Sequence, residues 1–162
     1  MAEPGLDEAK ALLEARRALE IILLERVLER ATPKALEDLE TLTLEEERIH
    51  SGPDAAAKSK LAGRFHVELA RLADNPVLLE MLEKVLARIS LVAAIYQKAH
   101  HDECGADHHR IILTAIKSRD RKGALSAMEH HLRDLEGRLH LDEAQGDSHT
   151  FAAVLERFSS RD

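Results

Sequence analysis

Tryptophan is absent from this chain, and only four aromatic residues occur, Phe65, Tyr96, Phe151 and Phe158. So few rings make neither a stacking platform for nucleic-acid bases nor an aromatic-rich cofactor pocket. The single cysteine, Cys104, has no second thiol with which to form an internal disulfide. The acidic start, Met1 to Lys10, lacks the basic and apolar regions of a secretory signal. A reducing, cytoplasmic setting is therefore expected. No apolar run approaches the ~18 residues that a membrane helix needs, so no membrane partner is expected. Lys and Arg number 23 against 30 Asp and Glu, a net charge of -7. That balance argues against nucleic-acid binding by this chain alone, because phosphate affinity rests on basic side chains. No segment alternates apolar and polar residues for long enough to make a sheet.

What is present is helix. A chain of 162 residues reads as one domain over residues 1–162, and a chain of this size buries about 68 to 70% of its unfolded surface without help from disulfides. Leu6 to Arg30 is rich in strong helix formers, with Leu12, Leu19, Ile22, Leu23 and Val27 at helical spacing. The run Ile21 to Leu24 is apolar on more than one face, which points to burial against a second subunit as well as the chain's own core. Thr32-Pro33 starts a second helix, ending near His50 before Ser51-Gly52-Pro53-Asp54. A third runs from about Asp54 to Ala73 with Leu61, Phe65, Leu69 and Leu72 on one stripe. The fourth, Val77 to about Lys98, carries Leu78, Leu82, Val85, Ile89, Val92 and Tyr96 and reads as the spine of the bundle. A fifth spans about Ala106 to Ser118, and Asp120 is placed to cap a sixth that reaches about Leu141. A short last helix is expected from about His149 to Phe158. The fold class is all-α, with six to seven helices.

The chain has ten histidines, and their direction matters more than their number. At about 100° per residue, His109 lies in line with Ile112, Leu113 and Ile116, and His108 points about a quarter turn away. On the sixth helix the stripe is Leu125, Met128, Leu132, Leu135 and Leu139; His131 falls on its flank and His130 points to water. His66 sits at the edge of the third-helix stripe beside Ala62, Leu69 and Ala73. Three helices thus each turn one imidazole inward. Neutral imidazole is a common ligand for zinc and nearby divalent metals, and three with an open position suit an ion that also binds water or a small acid. The alternative for each is a core histidine hydrogen-bonded to a carbonyl or carboxylate. Dense metal motifs are absent: there is no H-E-x-x-H and no paired cysteine, and the single E-x-x-H, Glu47 to His50, reads as a solvated helix end.

Taken together, these segments resemble the FCD domain, the C-terminal effector-binding and dimerisation domain of the FadR subfamily of GntR transcription regulators. The residues that carry the resemblance are Glu14-Ala15-Arg16-Arg17-Ala18-Leu19-Glu20, Phe65-His66 followed by Asp74-Asn75-Pro76, His109 to Ile116 with Asp120 and Ala124 after it, and Met128-Glu129-His130-His131-Leu132. The resemblance implies an antiparallel bundle around a central ligand cavity. There an Asp and three His hold a divalent metal, zinc or nickel, and a small carboxylate effector completes its coordination. The histidines fall on His66, His109 and His131. The Asp, usually one helical turn before the first histidine, is Ala62 here, so the metal site is short of one anionic ligand. Arg16 and Arg88 match positions where the family often has cavity-facing arginines, suited to bidentate binding of a carboxylate. The family's winged helix-turn-helix has no counterpart in these 162 residues, and Met1-Ala2-Glu3-Pro4 resembles the exit from such a wing.

The resulting expectation is a non-enzymatic ligand sensor that forms a homodimer. Two other classes stand beside it. A metal-dependent hydrolase would draw on His101-Asp102, similar to the paired ligands of the HD phosphohydrolases. A metal-free effector or interaction domain would use the histidines as hydrogen-bonding groups, with His100, His101 and Cys104 in an exposed loop.

Overall fold

The structure is a computed structural model that describes residues 5–50, 55–96 and 105–139. Within them the chain forms α1 (Leu6–Arg30), α2 (Pro33–His50), α3 (Ala55–Arg71), α4 (Pro76–Tyr96), α5 (Gly105–Lys117) and α6 (Arg121–Arg138). No strand occurs among the described residues. The expected last helix, His149 to Phe158, lies outside them, as do His100, His101, Asp102 and Cys104.

Short polar side chains set the helix starts. Thr32 Oγ1 accepts the Ala35 N–H at 3.3 Å, Asn75 Oδ1 accepts the Leu78 N–H at 3.1 Å, and Asp120 Oδ1 accepts the Gly123 N–H at 2.9 Å. Each supplies an acceptor for one of the first N–H groups, which have no partner within a helix. Among the described residues two leave helical geometry at positive φ, Asp74 (51°) after α3 and Arg119 (59°) after α5. For a residue other than glycine this costs on the order of 1 kcal/mol. At Arg119 the guanidinium offsets it by donating to Leu28 O at 2.8 Å and Ala31 O at 3.1 Å, carbonyls at the end of α1. The corner between α5 and α6 is thereby tied to α1.

The central helix is α1, which packs against α3, α4 and α6. The expectation of α4 as the spine is thus corrected: α4 lies on the flank with Val77 and Met81 exposed, although Leu82, Ile89 and Val92 of its stripe are buried. The expected stripe of α1 is also revised. Leu19, Leu23 and Val27 are buried, but Leu12 is only half-buried and Ile22 is exposed, while Arg16 and Glu20 are buried. A helix with neighbours on several sides has no single apolar stripe, so its periodicity misplaces the boundary of the buried face. Of the run Ile21 to Leu24, Leu23 and Leu24 belong to the chain's own core and Ile22 is the one exposed.

The apolar core has two parts. The larger joins Leu19, Leu23, Leu24 and Val27 of α1 to Leu36, Leu39 and Leu42 of α2, Phe65 and Leu69 of α3, Ile112 and Ile116 of α5, and Met128 and Leu132 of α6. The smaller joins Ala9 and Leu13 to Ile89, Val92 and Leu139. On α1, Arg16 stands where the smaller cluster gives way to the larger.

Candidate metal centre

His66 of α3, His109 of α5 and His131 of α6 are 2%, 0% and 4% exposed. Their Nε2 atoms converge: His66 Nε2 lies 3.2 Å from His109 Nε2 and 3.1 Å from His131 Nε2. The helical phase that turned each of them inward therefore also brings them to one point. The Phe65 ring stacks on His109 with centroids 3.9 Å apart and planes 8° from parallel, which fixes that imidazole from behind.

Two buried carboxylates hold the far side of the cluster. Glu20 Oε2 is 2.5 Å from His66 Nδ1, and Glu46 Oε2 is 2.8 Å from His109 Nδ1. Glu20 also accepts from Arg16 Nε through Oε1 at 2.5 Å. Sequence reasoning did not single out either glutamate. Their signal was nonetheless present, since Glu20 follows Leu13 by seven residues and Arg16 by four, and Glu46 follows Leu39 by seven and Leu42 by four. Both are acids set on a buried helical stripe.

Burial keeps the three imidazoles neutral. Burial pulls His66 down to about 4, against the opposing charge of Glu20. It likewise pulls His109 down to about 3, and His131 well below the ordinary imidazole value. Burial alone would raise Glu20, but its pairing with His66 and Arg16 outweighs it and brings the carboxyl down to about 2. Glu20 is thus an anion, and His66 donates to it from Nδ1, leaving a lone pair on Nε2. Burial pushes Glu46 up to about 7, so near neutral pH a proton is shared between Glu46 and His109. Positive charge at Nε2 favours the arrangement with that proton on Nδ1 and Glu46 ionised.

This donor set fits a divalent cation. With His66 and His109 both donating from Nδ1, their Nε2 lone pairs face each other at 3.2 Å, an arrangement that a cation between them stabilises. An N–H from His131 can serve one lone pair but not both. Nitrogens about 2.0 to 2.1 Å from a common ion stand about 2.8 to 3.0 Å apart in octahedral and about 3.3 to 3.4 Å apart in tetrahedral geometry; the two His66 spacings, 3.2 and 3.1 Å, fall between these, and all three ligand atoms lie within 4.8 Å of one another. Carboxylates behind the ligating imidazoles orient the rings and raise their basicity. His66, His109 and His131 are the residues that would hold the ion.

Of the two arginines expected at the effector, Arg16 is buried beside the cluster through Glu20. Arg88 is not brought there; it pairs with Glu8 of α1, two helical turns before Arg16. Ala62 is half-buried, one turn before His66. Two surface depressions, of about 380 and 450 Å³, are lined by Leu125, Glu129 and His130 and by Glu40, Leu44 and Arg110 among others; neither includes a clustered histidine. The three imidazoles are at most 4% exposed, and Arg16, 5% exposed, is the buried cation beside them.

The profile of the FCD domain family matches residues 11–134 of the chain. The chain belongs to the FCD domain family. Solved structures show the same fold. E. coli McbR (YncC) superposes with a TM-score of 0.79 at 18% identity, over 88% of this chain and 69% of that one. Lar, which controls the expression of the Listeria monocytogenes agr system, gives 0.72 at 14% identity, over 84% and 65%. The metal-free FCD domain of TM0439 gives 0.68 at 20% identity, over 83% and 93%. The chain thus spans about two thirds of the length of McbR and of Lar and nearly all of the isolated TM0439 domain. Comparison with curated proteins by sequence finds no match. Membership makes this FCD domain a regulatory domain of the effector-binding kind, and no helix among its described residues is long and apolar enough to cross a membrane.

Neutral buried histidines have a consequence for the metal-free FCD domain in acid. A histidine whose folded value is lowered remains unprotonated while its unfolded counterpart, near 6.5, takes up a proton, so its contribution to stability is present above pH 6.5 and lost as pH falls toward 4. Glu46, raised from 4.5 to about 7, acts in the opposite sense between those values. Three histidines against one glutamate leave a net loss. Below pH 4.5 Glu46 no longer offsets it, and Glu20, lowered to about 2, adds its own loss. Urea midpoints measured in chelator should fall from pH 7 to 4.5 and more steeply below. A flat profile above 4.5 would mean that water reaches the imidazoles.

Proposed function

We propose that the chain is the ligand-sensing domain of a GntR/FadR-type regulator, in which His66, His109 and His131 hold a divalent metal, zinc or nickel, and a small organic acid binds beside it. The convergence of three Nε2 atoms, with two of the rings backed by buried glutamates, carries this reading. Arg16 is the cation nearest to hand for the acid: its Nε is engaged by Glu20, and its terminal nitrogens offer the fork that carboxylates accept. Because the cluster is buried, the acid acts through Arg16, altering the packing of α1 against α3 and α6, a shift that an attached or partner DNA-binding module reads. Arg88 takes part only if its pairing with Glu8 opens. A homodimer formed through the outward face of α1, where Ile22 is exposed, belongs to the same reading, and the role is non-enzymatic.

The test is metal content. FCD protein prepared without an affinity tag should contain close to one equivalent of zinc or nickel, and the protein with His66, His109 and His131 all replaced by alanine should contain none. Equal metal in the two would rule the site out. Ala62→Asp adds the carboxylate usual in the family and should tighten binding.

A further inference from the structure

Two more histidines lead from solvent to the cluster. His130 is exposed on α6, His108 is half-buried on α5, and His131 is buried. The rings of His130 and His108 have centroids 5.1 Å apart, and those of His108 and His131 are 5.6 Å apart. Spacings among the three clustered rings run from 4.7 to 5.0 Å. The five imidazoles form one series in which burial deepens at each step. Nδ1 of His108 and Nδ1 of His131 are buried without a hydrogen-bond partner, although buried polar atoms are as a rule paired. Asp134, one turn beyond His130 on α6, places negative charge near His108.

This arrangement suits a hydrated divalent cation on its way inward. Moving such an ion bare into a packed interior is costly. Nitrogens that replace its waters one after another lower that cost, and imidazole is the commonest side-chain ligand for such ions. The cluster itself has no exposed member, so some part of the bundle must hand the ion over.

We propose that His130 and His108 are the uptake route for the divalent cation, passing it from solvent to His131 and the three-nitrogen centre. The inference rests on the metal-site reading above. A route differs from a ligand set in what it controls: it sets how fast binding reaches equilibrium and leaves the equilibrium alone.

Cobalt(II) makes the distinction measurable, because its visible absorption reports the coordination it ends in. Metal-free protein is mixed rapidly with Co²⁺ to follow uptake, and the loaded protein is mixed with excess chelator to follow release. His108→Gln should slow both by about tenfold, and His130→Gln should slow both by a smaller factor. The final spectrum and the equilibrium affinity should match those of the unaltered protein. Unaltered rates in His108→Gln would overturn the route. So would a loss of affinity with a faster release, which would make His108 a support of the folded site instead. If the unaltered protein gives no cobalt spectrum at all, the metal site falls and the route falls with it; a normal spectrum with unaltered rates removes the route alone.

Discussion

Replacement of Glu20 by alanine is expected to destabilise the metal-free domain by about 3 to 5 kcal/mol. The side chain is 2% exposed and has two partners, the guanidinium of Arg16 and the imidazole of His66. Its removal leaves the Arg16 charge buried without a counter-ion and the His66 N–H without an acceptor. For a domain of this size the loss corresponds to a fall in Tm of about 6 to 20 °C. Urea unfolding in chelator measures it without a contribution from bound metal. Combining Glu20→Ala with Arg16→Met should recover part of the loss, because the orphaned charge goes too, while the unpaired His66 remains. A cost below about 1 kcal/mol for Glu20→Ala would show that Arg16 swings out to water, and would place the arginine at the surface when the acid arrives.

Glu46→Gln is expected to leave the fold intact and to weaken metal binding by about 10- to 100-fold. Glutamine keeps an oxygen that accepts from His109 Nδ1, so the ring stays in place, but the negative charge behind it is lost. Chelator competition at neutral pH reads the change in affinity. A companion measurement follows from the same residue. Glu46 is raised to about 7, so metal binding near that pH should release a proton from the pair it forms with His109, and the variant should release less. Calorimetry in buffers of different ionisation heat counts those protons. Equal affinity and equal proton release in the two proteins would remove Glu46 from the site.

The sequence expectations succeed where structure is local. Helix α1 runs over the same residues that composition and periodicity indicate, Leu6–Arg30, and His66, His109 and His131 are buried while His130 is exposed. These are questions of phase within one helix. Pairings between helices behave differently. Glu20 and His66 are 46 residues apart and Glu46 and His109 are 63 apart, and no periodicity within a helix reports which stripe meets which. The usual presumption that acids face water then hides both glutamates, although each sits in register with buried leucines. The misreading of α4 as the spine has the same origin. Its clean apolar stripe marks a helix with one buried side, whereas the helix at the centre is the one whose pattern is blurred.

The length of α1 gives the buried ion pair a mechanical meaning. The helix is unbroken for 25 residues, about 37 Å at 1.5 Å per residue; Glu20 ties its middle to His66 of α3, Arg119 holds its far end, and Glu8 pairs its near end with Arg88 of α4. From Glu20 back to Leu6 is 14 residues, an arm of about 21 Å. A tilt of about 5° at that fulcrum would carry the Leu6 end through about 2 Å, given the helical rise. On the reading proposed above, a ligand that dislodges Arg16 would press the near end of α1 against α4 by a displacement of about that size.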